Sequence, residues 1–154
     1  MNCYRAVDGR GGVMVVESHA ARPAEISTSL AAARAAAAEQ GRRVLVAFQP
    51  GDVDDDDVPE LGEALAAADL VVVFPCPATT NTGVVGSPSQ RIADAVIVNA
   101  TMAGATSDTA DGPRIVASRA QPGDVVVAIG HGDIAALSAQ LLRWLPTRSA
   151  PASP

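Results

Sequence analysis

A three-layer α/β fold with a mostly parallel sheet is predicted for this chain by three observations. Apolar runs rich in Val and Ile alternate with stretches whose apolar residues recur at helical spacing, the order expected of βαβ units. Those runs lack polar alternation, so they read as strands buried on both faces. One of them, residues 125–129, passes directly into Gly130-His131-Gly132-Asp133. A strand ending on a glycine-rich turn before a helix is where open α/β sheets place ligands.

Taken in order, residues 3–7 and 13–17 flank Asp8-Gly9-Arg10-Gly11-Gly12, whose glycines suit a turn, and predict a short opening β-hairpin. Pro23 suits a first helical turn, and Ile26, Leu30, Ala33 and Ala37 share a helix face that stops at Gly41. Residues 44–48 form the next strand, and the loop over 49–57 carries Asp52 and the run Asp54 to Asp57. A helix from Pro59 with Leu61, Leu65 and Ala68 on one face leads to a strand over 70–74. Residues 75–88, rich in Pro, Thr, Gly and Ser, make a long loop at a strand end. Residues 89–96 read as a helix, 98–103 as a strand, 107–112 as a polar turn and 113–120 as a helix. After the 125–129 strand, Ile134, Leu137, Leu141, Leu142 and Leu145 predict the last helix, with Asp133 as its cap and Trp144 as a packing anchor.

At 154 residues and 48% apolar content, one domain with a sizeable core is expected over residues 1–146, followed by a disordered tail over 147–154. Aromatics are only 3%, so the core is aliphatic. A net charge of −6 and no basic cluster beyond Arg42-Arg43 argue against nucleic acid as a partner. Cys3 and Cys76 lack metal-ligand spacing and fit a reducing compartment. With no signal-like apolar segment and no run of membrane-spanning length, a cytoplasmic protein with no membrane partner is expected.

The order of these pieces resembles the C-terminal domain of the Mur ligases, most closely that of the UDP-N-acetylmuramate:L-alanine ligases. The resemblance rests on GGVMVVESHAARPAEI (11–26), GRRVLVAFQP (41–50), LGEALAAADLVVV (61–73) with RIADAV (91–96), and PGDVVVAIGHGDI (122–134). It implies a Rossmann-like domain that closes over ATP held on a central domain and helps to bind the incoming amino acid. The implied chemistry is ATP-dependent amide formation through an acyl phosphate. This chain has no lysine, and hence no Gly-Lys-Thr or Gly-Lys-Ser phosphate loop. It also departs from the family where charge is needed. Glu17-Ser18-His19 and Ala21-Arg22-Pro23 stand where the family has two acidic residues, a Tyr and a His-His-Pro group, although Pro23 and Glu25 are kept. Gly51, Asp52 and the Asp54 to Asp57 run replace a His and several arginines, and Thr79-Thr80 replaces an Arg-Glu element. An anionic group would be repelled by that loop.

The candidate ligand-binding residues are Glu17, His19, Arg22, Gly130, Gly132 and Asp133, with His131 as an acid-base group. The alternative for the turn is conformational: glycines for geometry and Asp133 as a cap. Asp54, Asp55 and Asp57 are candidates for a divalent cation, against a solvated acidic loop that caps the following helix. Cys76 is either a loop nucleophile or an apolar filler.

The resulting expectation is a stand-alone, diverged ligase-type domain: a ligand-binding or accessory module, not a complete ligase, with no intrinsic cofactor. An ATPase-type ligase domain on another chain would supply ATP and Mg. The alternatives are a small biosynthetic enzyme that uses His131 at the strand-end cleft, and a structural subunit that forms a homodimer.

Overall fold

The computed structural model describes residues 5–10, 13–20, 22–38, 43–51, 55–75, 88–99, 102–105, 111–130 and 134–145. The chain opens with β1 (Arg5–Arg10) and β2 (Val13–Ser18), followed by α1 (Pro23–Ala38), β3 (Val44–Gln49), α2 (Val58–Leu65) and β4 (Leu70–Val73). It continues with α3 (Pro88–Val98), β5 (Met102–Ala105), α4 (Asp111–Arg119), β6 (Val125–Gly130) and α5 (Ile134–Trp144). The six strands form one sheet in the order β1-β2-β6-β3-β4-β5. Only β1 runs antiparallel to its neighbour, so five strands are parallel and the three-layer architecture expected from the sequence is the one observed.

Two apolar cores follow from the two-residue period of the strands. Val44, Val46, Phe48, Val71, Val73, Val125, Val127 and Ile129 point to one face, where they meet Ile26, Leu30, Leu61, Leu65, Ile92 and Val96 of α1, α2 and α3. Leu45, Ala47, Leu70, Val72, Val126 and Ala128 point to the other, against Val116 of α4 and Ile134, Leu137 and Leu141 of α5. Every residue of β6 is buried, as befits a strand with parallel neighbours and helices on both faces. The stripe Ile26, Leu30, Ala33, Ala37 of α1 has no exposed surface at all. Close packing of α2 on α3 depends on Gly62, where an added Cβ would lie 2.4 Å from the Ala95 Cβ.

Local expectations are corrected at several points. β1 extends through Asp8 and Gly9 to Arg10, which pairs with Val13, so only Gly11 and Gly12 separate the hairpin strands. A register irregularity between Ala6 and Gly9 absorbs the difference. Val98 ends α3 instead of starting a strand, because Ile92, Ala93 and Val96 bury a helical stripe on the sheet; the strand is Met102–Ala105. α4 begins at Asp111, with Pro113 in its first turn, where the missing N–H costs nothing. Trp144, expected as a packing anchor, is 50% exposed. The expected tail over 147–154, Cys76 and Thr79-Thr80 lie outside the described residues.

Candidate functional site

The parallel strands all end on one edge of the sheet, at Ser18, Gln49, Val73, Ala105 and Gly130. From that edge β2 and β3 continue to α1 and α2 on one face, whereas β6, which lies between them, continues to α5 on the opposite face. The chain therefore diverges on both sides of β6, and a crevice at such a switch point is the usual ligand position in open α/β sheets.

Two consecutive polar residues close the end of β2. Glu17 faces the α5 layer, is 4% exposed, and accepts a hydrogen bond from the Ser138 hydroxyl. That hydroxyl also lies 3.1 Å from the Ala135 carbonyl. Ser18 faces the opposite layer, where its Oγ is 2.8 Å from Ser29 Oγ of α1 and 3.3 Å from the Ala20 N–H. Burying these groups is tolerable only because they are hydrogen-bonded. Glu17 and Ser18 thus tie one strand end to both helical layers. Glu17, predicted as a ligand contact, has its carboxylate buried against Ser138 of α5.

His19 and Arg22 are exposed beside that strand end. The Arg22 backbone N–H donates to Glu25 Oε1 at 3.2 Å, and its carbonyl accepts from the Ile26 N–H at 2.9 Å. With Pro23 as the first helical residue, this is the Glu half of a capping box. The backbone of Arg22 is accordingly occupied in starting α1, while its guanidinium faces solvent.

Gly130 has φ +131°, and a Cβ there would sit 2.1 Å from the Gln49 carbonyl oxygen on the paired strand β3. Only glycine satisfies both conditions. Gln49 in turn donates from Nε2 to the Pro75 carbonyl at 2.8 Å, linking β3 to the segment that follows β4. His131, Gly132 and Asp133 lie outside the described residues.

The acidic segment forms a single 3-10 turn, Asp55–Asp57, before α2. Asp57 occupies the N-cap position but makes no side-chain cap hydrogen bond, because its backbone is already helical at φ −88°, ψ −14°. This corrects the expected cap: any electrostatic benefit to α2 comes from charge near its N-terminus alone. Asp54 and the side chain of Asp55 lie outside the described residues. Among the described residues, no group of three or more His, Cys, Asp or Glu is placed to hold a metal ion. None of the described helices is long and apolar enough to cross a membrane.

The ion pairs described, Arg34–Asp69 and Arg43–Asp124, lie at the opposite edge. Arg34 grips Asp69 through both guanidinium nitrogens at 2.6 and 3.2 Å, and Asp69 also accepts from the Val44 N–H at 2.8 Å. The Arg34 hydrogen bond holds the Asp69 carboxyl below the usual carboxylate range; burial opposes this, and the Val44 N–H and the charges of Arg34 and Arg43 support it. Arg43 grips Asp124 in the same two-pronged way at 2.7 and 3.2 Å, and the Gln121 N–H donates to the same carboxylate at 2.7 Å.

Sequence reasoning singled out Glu17 but missed Ser18, Ser29 and Ser138. The available signal was a serine inside each buried helical stripe: Ser29 beside Ile26 and Leu30, and Ser138 beside Leu137 and Leu141.

This architecture defines a Rossmann-like α/β domain whose chain diverges on both sides of β6 at the carboxyl ends of its parallel strands. Residues 4–132 match the family described as "Mur ligase, glutamate ligase domain", and the chain belongs to that family. It is 35% identical over 133 residues to the UDP-N-acetylmuramate--L-alanine ligase of Streptomyces avermitilis, covering 85% of this chain and 28% of that protein. The corresponding enzyme of Streptomyces griseus subsp. griseus is 37% identical over 136 residues, covering 87% and 29%. This chain thus spans less than a third of the length of these curated relatives. Among solved structures, a murein peptide ligase from Psychrobacter arcticus superposes with TM-score 0.75 at 18% identity, over 97% of this chain and 30% of that one. The UDP-N-acetylmuramate-alanine ligase of Thermotoga maritima gives 0.70 at 20% identity, over 92% and 28%. At those identities the structures speak for the fold alone.

Proposed function

We propose that this chain is a ligand-binding or accessory module of an amino-acid ligase system, and that it works with an ATPase-type ligase domain without performing the whole ligation itself. The observation that carries the reading is the family match over residues 4–132 on a sheet whose switch points flank β6. Relatives named UDP-N-acetylmuramate--L-alanine ligases supply the reaction class, an amino-acid ligation, for which the family resemblance implies ATP-dependent amide formation. A site at the strand ends is supported by Gly130, packed against Gln49 of β3 at the end of β6, and by His19 and Arg22, exposed beyond the end of β2.

In this reading ATP and its metal are held by the other domain, and this one contributes backbone donors at the strand ends and closes over the bound ligand. The absence of lysine supports the same division of labour.

Thermal-shift titration with ATP, ADP, UDP-sugars and a panel of amino acids tests the reading. A ligand that binds only the folded state raises Tm by mass action, by an amount set by its concentration relative to Kd. A saturable rise with a nucleotide or an amino acid is the expected result. No rise with any of them, alone or with a co-expressed ATPase-type domain, would overturn it.

A further inference from the structure

The far edge of the sheet offers a surface that the strand-end crevice does not use. β5, Met102-Ala103-Gly104-Ala105, pairs only with β4 among the described residues, so its outer side presents unpaired backbone. Natural edge strands are usually protected by charge, proline or a bulge, and this one carries no charged residue and no proline. Both faces of the edge are apolar. On the α4 side a cavity of about 190 Å³ opens beside β5, floored by Leu70, Val72 and Gly104 and walled by Ile115 and Arg119. Met102, also on this face, is 64% exposed. On the α3 side Ile97 is 50% exposed. Because Ala95 faces α2 at Gly62, Ile97, two residues or roughly 200° further round the helix, faces away from α2, toward the open edge.

We propose that this edge is a homodimer seam: two copies join through antiparallel β5 strands about a twofold axis at Ala103, and two six-stranded sheets become one. Two features point to a second copy as the occupant. The first is self-complementarity. Directly opposed residues of an antiparallel pair share a face, so a twofold at Ala103 sets Met102 of each copy opposite Gly104 of the other. A Cβ at Gly104 would meet nothing within 4 Å, and the cavity above it is open to receive that methionine. The second is spacing. α3 packs over β4 and β5, so joining the edges brings the two α3 helices to about two strand spacings, ~10 Å, which is helix-packing distance. Ile97 would then be covered. The contact is isologous and closes at two copies.

Sedimentation velocity of the full chain across concentration is the first test, and a reversible monomer–dimer equilibrium is expected. Met102→Lys places a charge on the seam at an exposed position and should abolish the dimer with an unchanged circular-dichroism spectrum. Ala103→Cys reads the register. Opposed Cα atoms of an antiparallel pair, about 4.5–5.5 Å apart, are within disulfide reach, so oxidation should yield a covalent dimer. Both variants are made with Cys3 and Cys76 replaced by Ser, and Ala105→Cys, whose two copies lie far apart in this register, should not yield one. A chain that stays monomeric at hundreds of micromolar overturns the proposal. So does a dimer that persists in Met102→Lys, or one in which Ala105→Cys cross-links and Ala103→Cys does not.

Discussion

At the amino edge of the parallel strands, Arg34 with Asp69 and Arg43 with Asp124 form two-pronged ion pairs that also tie down the backbone of Val44 and Gln121. At the carboxyl edge the ties are short and neutral or buried: Ser18 to Ser29, Ser138 to Glu17, Gln49 to Pro75. The glycines differ in the same sense. Gly123 at the amino edge has φ +98° and open space around it, whereas Gly130 at the carboxyl edge has φ +131° and the Gln49 carbonyl against it. The amino edge is fastened by long charged side chains that solvent partly screens. The carboxyl edge is fastened by close approach, which leaves its crevice free of described charge pairs and its backbone in a demanding conformation.

This contrast can be broken most sharply at the two glycines. Gly130→Val combines backbone strain with a clash against backbone that cannot move aside, and should cost about 3 kcal/mol or more in urea unfolding. Gly123→Ala meets only the conformational penalty, about 1–2 kcal/mol. Equal costs at the two positions would contradict the distinction.

Ser138→Ala removes one donor from the buried Glu17 carboxylate and should cost about 1–3 kcal/mol. A double-mutant cycle with Glu17→Gln should return a coupling energy of at least ~0.5 kcal/mol, because the two side chains touch across 121 residues of sequence. Additive effects would mean that Glu17 is held by something other than α5.

The smallest effect belongs to the amino edge. Asp69 has a lowered pKa in the folded chain, so its contribution is fully present above the unfolded carboxylate value of ~4 and is lost as pH falls through the lower folded value. Asp69→Asn should therefore flatten the acid limb of the stability curve below pH ~4. At neutral pH it should cost under ~1 kcal/mol, because both partners are partly exposed. An unchanged acid limb would remove the pair from the account.

Much of the fold was legible because single elements declare themselves. The unbroken run over 125–129 marks the central strand, and the stripes of α1 and α5 mark the faces that the structure buries. β5 was harder to place. Val98 and its neighbours have β-branched character, and the decision in favour of helix came from the sheet beneath Ile92 and Val96, which a local window does not contain. The same holds at the site. Glycine at 130 was readable as a turn residue, but its reason, the Gln49 carbonyl on a neighbouring strand, is a contact between distant parts of the chain. Glu17 read as a ligand contact because it lies in the stretch that matches the family's acidic residues after the first parallel strand. Only the position of Ser138 on α5 shows that its carboxylate is spoken for.

The central claim, that the carboxyl edge around β6 carries the ligand site while the amino edge carries stability, is tested most directly by amide chemical-shift mapping. The ¹⁵N-labelled chain would be titrated with the nucleotide or amino acid that raises its Tm. Shifts at Ser18, His19, Gln49 and Gly130, with Val44, Asp69 and Asp124 unmoved, are the predicted result. Shifts confined to Val44, Asp69 and Asp124 would place the site at the wrong end of the sheet and contradict the account.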